Sequence, residues 1–141
     1  MISIDSRYFY KIINQGFRVV DGDTIDCTID LGFSVCVFHR FRMVGYDAPE
    51  THRPTTLNEK AMGKQVTEFL TKECMQALAR DSLYVKSLGN RDVYGRFSCE
   101  LYTFVDNQPE MINSRVIHFM NEMELTKESL GLKPKLGTNS I

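Results

Sequence analysis

Apolar and polar residues alternate strictly in one stretch of the chain, from Thr24 to Leu31. Every second residue there is apolar, and the residues between them are threonine or aspartate. Because successive side chains of a strand point to opposite faces, the pattern predicts a strand with one buried face. Asp21, Gly22 and Asp23 precede this strand as a tight turn, in which the glycine is free to take a positive φ.

Four other segments are rich in β-branched and aromatic residues, which favour strands. The first is interrupted around Gly16, and the segment that follows the alternating strand is long and ends in a second turn. With the alternating strand they make five predicted strands. The other four are expected at 8–13 resumed at 17–20, at 33–44, at 82–88 and at 97–105.

Helical patterns follow the third and the fifth predicted strands. Thr56 and Glu59 have the spacing of a capping box, and apolar residues then recur every three or four positions, which predicts a helix with one buried face. Pro109 is placed for the first position of a second helix, which we expect to continue over 111–120. A short helical piece is expected at 126–130.

Five strands interrupted by one helix, with a further helix behind them, form the layout of an oligonucleotide-binding (OB) fold. The predicted fold class is therefore α+β, a five-stranded OB-fold β-barrel with two to three helices. A chain of 141 residues is long enough to bury one core. We expect residues 1–141 to form a single domain, with 131–141 as a flexible tail.

Composition and charge narrow the function only slightly. A net charge of -1 does not favour a tight, non-catalytic nucleic-acid binder with a basic stripe, whereas an enzyme that must release its product is less constrained. The four cysteines lack zinc-site spacing, and we expect most of them to be small buried hydrophobic residues. Without a signal-peptide pattern or a membrane-spanning run, the sequence predicts a cytoplasmic protein with no membrane association and no obligate protein partner.

Candidate chemistry begins in the segment from Phe41 to Glu50, a strand followed by a stiff turn. Arg42 lies near its start, and Asp47 and Glu50 lie in the turn, where Pro49 restricts the backbone. Carboxylate oxygens suit a hard cation such as Ca²⁺, and a planar guanidinium suits a phosphate.

Two more residues complete a possible reaction centre. Asp23 lies at the turn before the alternating strand, and Arg96 follows a glycine turn before the fifth strand. Taken singly, each of these acids and arginines is an ordinary turn or surface residue. Together they suffice for metal-assisted hydrolysis of a phosphodiester, with two arginines to stabilise the charge of the transition state.

Three segments of the chain resemble the signature segments of the staphylococcal nuclease (thermonuclease) family, in the same order and with similar spacing. They are Val20–Thr24, Phe41–Arg42 leading to Asp47–Glu50, and Asp92–Arg96. The resemblance covers roughly 17–120, and the family fold agrees with the OB layout. It implies a Ca²⁺-dependent nuclease that cleaves DNA and RNA, preferably single-stranded, with little sequence preference and leaves 3′-phosphate ends.

The resemblance also implies a role for each matching residue. Asp23 and Asp47 match the metal carboxylates, and the backbone carbonyl of Ala48 is a further metal ligand, although a threonine is common at that position. Glu50 matches the acid to which the role of general base is usually given. His52, two residues further on, could touch substrate or tune that acid.

Arg42 and Arg96 match the two arginines that bind phosphate and stabilise charge, and Tyr94 matches a tyrosine that contacts substrate. Val93 replaces a lysine that contacts a substrate phosphate, and the family's tyrosine-containing segment and long final helix are lacking after Met120. The first departure predicts weaker nucleotide binding, and the second predicts weaker base stacking and lower stability.

Two other functions compete with the nuclease. A catalytically inert OB-fold module that binds nucleic acid is the main alternative, but such copies usually lose the acids and arginines that this sequence keeps. A structural Ca²⁺-binding domain ranks last, because two carboxylates alone make a weak site. His39 is expected to pack on the barrel rather than bind metal.

Overall fold

The computed structural model describes residues 8–49, 51 and 56–129, without the side chains of residues 90 and 125–129. Predicted features at Glu50 and His52 and the tail 131–141 therefore lie outside the described residues. The strands are β1 (Phe9–Asp21), β2 (Thr24–Asp30), β3 (Cys36–Met43), β4 (Tyr84–Arg91), β5 (Phe97–Val105) and β6 (Gln108–Met111). The helices are α1 (Leu57–Ala79), between β3 and β4, and α2 (Ile112–Ser129), after β6.

The first five strands close into a barrel. Neighbours in the order β3-β2-β1-β4-β5 pair antiparallel, and β5 then pairs in parallel with β3, with Phe41 opposite Phe97 and Met43 opposite Cys99. β6 adds to the other half of β5 and lies outside the closed ring. The predicted α+β OB-fold barrel is confirmed, with two helices in the described part of the chain.

β1 is one long strand where the sequence predicts two pieces. Its pairing with β2 shifts register between Ile13 and Arg18, and Gly16 in this interval has a φ of 78°. Such an irregularity bends a strand without ending it. β1 can therefore pair with β4 at its beginning and with β2 along most of its length.

The sequence prediction is wrong around Pro109. Asp106 and Asn107 both have positive φ, as a tight type I′ hairpin turn requires, and Gln108–Met111 forms a strand rather than the start of a helix. Proline is tolerated there because β6 pairs on one side only, with β5. Helix α2 then runs without a break to Ser129, so the predicted short piece at 126–130 is its last part as far as the structure describes it.

Two other predicted boundaries also move. β3 begins at Cys36, and Phe33 lies fully exposed in the turn before it. β4 extends to Arg91, three residues beyond the end that the sequence predicts at Leu88. In both cases the strand ends are set by pairing with a neighbour rather than by local composition.

Helix α1 packs against the segment that carries the candidate acids. The predicted N-cap is present, because the Thr56 side chain accepts a 3.0 Å hydrogen bond from the Glu59 backbone N–H. Gly63 faces that segment so closely that a Cβ atom there would lie 2.7 Å from the Pro49 carbonyl oxygen and 2.5 Å from a Thr51 methyl. The glycine therefore sets the distance between α1 and the turn.

Helix α2 is tied to the barrel by a buried amide. Asn113 is 1% exposed; it accepts a 2.8 Å hydrogen bond from the Leu101 N–H and donates one of 2.9 Å to the Val44 carbonyl. These bonds connect α2, β5 and the end of β3 at one point. Buried amides of this kind stabilise one arrangement of their neighbours, since each lost partner leaves an unpaired polar group.

Three of the four cysteines are buried, as expected. Cys27, Cys74 and Cys99 lie in the core and Cys36 is exposed, and all four are free thiols. Burial raises the pKa of Cys27 to about 12. Within the described residues no helix is both long and apolar enough to cross a membrane.

Candidate active site

Asp23 lies at the turn between β1 and β2, beneath helix α1. It is only 9% exposed. Gly22 beside it has no room for a side chain, since a Cβ atom there would lie 2.7 Å from both the Ala48 methyl and a Val66 methyl. The Tyr46 hydroxyl donates a 2.7 Å hydrogen bond to the Gly22 carbonyl. This packing holds the turn against the segment that follows β3.

The Asp23 carboxylate is fixed by two hydrogen bonds. Oδ2 accepts one of 2.9 Å from the Ala48 N–H, and Oδ1 accepts one of 3.0 Å from the Thr24 hydroxyl. Its own backbone N–H donates to Asp21 Oδ1 at 3.2 Å, which brings a second carboxylate close. Burial raises the pKa of Asp23, and the neighbouring Asp21 raises it further. The backbone N–H of Ala48 and the guanidinium of Arg42 oppose that shift without cancelling it.

Arg42 lies between two of the predicted metal carboxylates. It is opposite Thr24 in the register of β2 and β3, and the Met43 N–H donates to the Asp23 carbonyl at 2.8 Å. Arg42 Nη2 is 3.4 Å from Asp23 Oδ2 and forms an ion pair with Asp47. The Arg42 side chain is 25% exposed, whereas that of Asp47 is 89% exposed. Among the described residues no acceptor bonds the buried Nε of Arg42.

Arg96 is positioned by an acid that the sequence reasoning did not single out. Asp92 Oδ2 accepts a 2.6 Å hydrogen bond from Arg96 Nε, and its Oδ1 accepts from the backbone N–H groups of Tyr94 and Arg96 at 2.9 and 3.0 Å. The Arg96 guanidinium also lies 5.2 Å from the centre of the Tyr94 ring. Desolvation acts to raise the pKa of Asp92, but the hydrogen bonds from Arg96 and Tyr94 and the charge of Arg96 together outweigh it and lower that pKa. An aspartate side chain that accepts a hydrogen bond from the backbone N–H two residues further on forms an Asx turn, which is common in loops.

An open cavity of about 680 Å³ joins these parts of the molecule. Arg96 and Tyr94 line it together with Asp21 and Thr24, the neighbours of Asp23. The remaining lining residues are Arg18, Val20 and Arg40. Sequence reasoning missed Arg18, Asp21 and Arg40. A signal was available for Arg40, which lies two positions before Arg42 in the same predicted strand and hence on the same strand face.

The predicted site residues thus fall into two groups. Asp23, Arg42, Asp47 and Ala48 are in contact with one another. Arg96 and Tyr94 line the cavity, which Asp21 and Thr24, the neighbours of Asp23, also line. His39 packs edge-on against Phe97, with ring centres 5.0 Å apart, as expected.

The donor set is chemically suited to a hard cation. No group of three His, Cys, Asp or Glu residues is arranged to hold a metal within the described part of the chain, where Asp47 turns towards Arg42 instead. Asp23 and Asp21 nevertheless place carboxylate oxygens side by side, and the raised pKa of Asp23 indicates negative charge that its surroundings do not fully compensate. Such oxygens are the ligands that Ca²⁺ prefers.

Comparison with known proteins identifies the family of the chain. A family model described as "Staphylococcal nuclease homologue" matches residues 40–119, more than half of the chain. The chain belongs to the staphylococcal nuclease homologue family. Neither the comparison with curated proteins nor that with solved structures found a match. The part matched to the family includes Arg42, Asp47, Tyr94 and Arg96; Asp23 precedes it and is connected to it by the hydrogen bonds described above.

Proposed function

We propose that this member of the staphylococcal nuclease homologue family is a Ca²⁺-dependent nuclease. It hydrolyses phosphodiester bonds of DNA and RNA, preferably single-stranded, with little sequence preference and leaves 3′-phosphate ends. The observation that carries the proposal is the cluster in which Arg42 contacts both Asp23 and Asp47, next to an open cavity that Asp21 and Thr24 line. Carboxylates for a hard cation and a forked donor for a phosphate lie there side by side.

Asp23, Asp47 and the backbone carbonyl of Ala48 would hold the ion. Bound calcium supplies a Lewis acid that polarises a phosphoryl oxygen. Asp23 is already oriented by the Ala48 N–H and the Thr24 hydroxyl. Asp47 is the adjustable ligand, because its exposed side chain loses little packing when it turns away from Arg42.

The arginines bind and orient the scissile phosphate. When Asp47 leaves Arg42, a guanidinium edge becomes available for non-bridging oxygens, and Arg96, held by Asp92, offers a second guanidinium in the lining of the cavity. Two planar forks placed in advance stabilise the negative charge that develops in the transition state. Glu50 accepts the proton of the attacking water, which displaces the 5′ oxygen in line and leaves the phosphate on the 3′ side.

The test is a time course of digestion of plasmid, single-stranded DNA and RNA with Ca²⁺, with Mg²⁺ and with chelator. We expect Ca²⁺-dependent cleavage with 3′-phosphate ends, loss of that cleavage in Glu50→Gln, and a decrease of about 10²–10³-fold or more in Arg42→Ala. Lys72→Ala, on the exposed face of α1, is the matched control for loss of one positive charge.

Each contrary outcome has a distinct meaning. Cleavage that survives the chelator would rule out the metal-dependent reaction. Near-wild-type activity of Arg42→Ala would rule out its assigned role. Absence of cleavage under every condition, with single-strand binding retained, would identify the inert OB-fold module instead.

A further inference from the structure

The cavity contains two arginines that have no part in the proposed reaction. Arg18 in β1 is paired in register with Asp26 in β2, and Asp26 is paired with Arg40 in β3. Directly paired residues of neighbouring strands present their side chains on the same face. Arg18, Asp26 and Arg40, here called the arginine row, therefore cross three strands side by side at the edge of the cavity.

The central acid of the arginine row is buried and its two arginines are not. Asp26 is 7% exposed, and its oxygens accept bonds of 2.7 Å from Arg40 Nε and 3.0 Å from Arg40 Nη2. Arg18 Nη2 lies further away, 3.5 Å from Asp26 Oδ2. The Arg40 and Arg18 side chains are 46% and 64% exposed. One carboxylate thus orients two guanidinium groups whose remaining N–H donors face solvent.

The charges of the arginine row do not cancel. The bonds from Arg40, and the charges of Arg40 and Arg18, lower the pKa of Asp26 despite its burial, so it is ionised at neutral pH. One negative and two positive charges leave a net charge of +1. Arg96, by contrast, is balanced by Asp92. Asp21, the acid of the cavity lining, accepts a hydrogen bond from the Asp23 backbone N–H, and its charge also acts on Arg40, so it offsets part of the positive charge of the row.

The arginine row also continues towards the arginine proposed to bind the scissile phosphate. The parallel pairing of β3 with β5 sets Phe41 opposite Phe97. Arg40 and Arg96 each lie one residue before these partners, so their backbones are at the same level, about one strand spacing of 4.8 Å apart. If one phosphate of a nucleic-acid strand contacts Arg96, the neighbouring phosphate of that strand therefore lies near the arginine row.

We propose that the arginine row is a second phosphate-binding subsite, which takes a backbone phosphate next to the scissile one in a polynucleotide. This inference rests on the proposed function for the nature of the polymer. Arg40 alone would be enough to pair with Asp26 if the row served only to stabilise the fold. Arg18 is a second arginine on the same acid, and it lines the same cavity. The subsite binds ground state and transition state alike, so its loss raises KM for long substrates more than it lowers kcat.

The experiment separates binding from cleavage. Fluorescein-labelled oligothymidylates of about two and about eight nucleotides, lengths below and within the range of one OB fold, are titrated in chelator and followed by fluorescence anisotropy at several salt concentrations. The variants are Arg18→Gln and Arg18→Gln/Arg40→Gln. The control, Lys64→Gln/Lys72→Gln, removes two positive charges from the exposed face of α1.

For the longer oligonucleotide we expect the double variant to lose about tenfold or more in affinity, as for the loss of charged hydrogen bonds. Its slope of log K against log salt is expected to fall by about 0.7 for each phosphate contact removed from a single strand. The loss is confined to the longer oligonucleotide and absent from the lysine control. If the double variant fails to fold, Arg18→Gln decides, because Arg18 makes one long contact and is mostly exposed.

Two results would overturn the subsite. One is unchanged affinity and salt slope in Arg18→Gln and in the folded double variant; the other is an equal loss in the lysine control or for the short oligonucleotide. Failure of the proposed function would look different. No oligonucleotide would be cleaved when Ca²⁺ is added, while the length-dependent binding difference would persist.

Discussion

Replacing Asp23 by asparagine is expected to make the metal-free protein more stable. The carboxylate is 9% exposed and adjoins Asp21, and burial together with this neighbour raises its pKa. An asparagine of the same shape keeps an oxygen for the Ala48 N–H and offers an amide to the Thr24 hydroxyl, so both hydrogen bonds survive. What is removed is a buried negative charge that its surroundings under-compensate.

The expected gain is small but measurable. Relief of strain or charge at functional sites commonly stabilises a protein by about 0.5–2 kcal/mol. Unfolding entropy of about 2.1 cal/mol/K per residue amounts to roughly 0.3 kcal/mol/K for this chain, so 1 kcal/mol corresponds to about 3 °C in Tm. With Ca²⁺ present we expect the wild type to be more stable than Asp23→Asn. At a concentration of about 100 times its Kd, a bound ion adds roughly 2.7 kcal/mol to the free energy of unfolding of the wild type. The variant has lost a negatively charged oxygen that would hold the ion, so its gain is much smaller.

Asp26→Asn is a matched control with the opposite sign. It is the same substitution three residues further along the chain, within β2, also at a buried aspartate. Here the hydrogen bonds of Arg40 lower the pKa of the acid, so the charge stabilises the fold. We expect a loss of about 1–2 kcal/mol, less than for a fully buried pair because the arginines are half exposed.

The two aspartates also differ in their pH dependence. The pKa of Asp23 is raised in the folded state, so the advantage of Asp23→Asn is full above that raised pKa. It disappears as the pH falls towards the ordinary value of about 3.9. The pKa of Asp26 is lowered, so the advantage of the wild type over Asp26→Asn is full above about pH 3.9. It is lost as the pH falls through the lower, folded-state pKa.

These expectations for Asp23→Asn and Asp26→Asn can be tested by thermal unfolding followed by circular dichroism. Tm is measured between about pH 3 and pH 7, with chelator or with Ca²⁺. A Tm of Asp23→Asn below that of the wild type in chelator at neutral pH would refute the electrostatic reasoning. An equal rise of Tm with Ca²⁺ in both proteins would remove Asp23 from the ligand set. If Asp26→Asn were stabilising as well, the two environments would not differ as described.

Three further predictions concern packing. Gly63→Ala, a substitution that normally stabilises a helix by about 1 kcal/mol, is expected to lower Tm and nuclease activity because the methyl would meet the Pro49 carbonyl. Lys64→Ala, at the exposed next position, is the control. An unchanged or raised Tm for Gly63→Ala would contradict the contact. Asn113→Ala is expected to destabilise the protein by about 2–4 kcal/mol in urea unfolding, since the Leu101 N–H and the Val44 carbonyl lose the amide as their partner and the Cys99 carbonyl keeps only the Val44 N–H. A loss below about 0.5 kcal/mol would contradict the role of the amide. In a thiol titration with an aromatic disulfide reagent, Cys36 alone is expected to react quickly in the native protein, whereas all four cysteines are expected to react in denaturant. Rapid reaction of a second thiol in the native protein would contradict the burial of the other three.

Local pattern was enough for those elements whose cause is local. The alternation of β2 and the cap at Thr56 depend on residues within one strand or one turn, and both are present as predicted. The region around Pro109 differs because local cues conflict there. A proline suits the first turn of a helix and also an edge strand, and pairing with β5 decides between them.

The polar face of β2 illustrates what alternation cannot predict. Thr24 and Asp26 lie on the face expected to meet solvent, yet both are buried. Asp26 is covered by Arg18 and Arg40, which come from the strands on either side. Their positions depend on pairings between distant parts of the chain. The candidate residues were therefore recognisable by type and spacing, whereas their supporting acids and the arginine row were not.

Strand register is what links the fold to the proposed chemistry. In β3, Arg40 and Arg42 point to the cavity face while Phe41 and Met43, 2% and 1% exposed, point to the core. A slip of one residue against β2 would exchange these faces, burying two arginines and exposing two large apolar side chains. The same register sets Thr24 opposite Arg42 and Asp26 opposite Arg40. The hydrophobic contacts that specify the barrel thereby also specify which acid each arginine meets, so core substitutions at Phe41 are expected to disturb the site as well as stability.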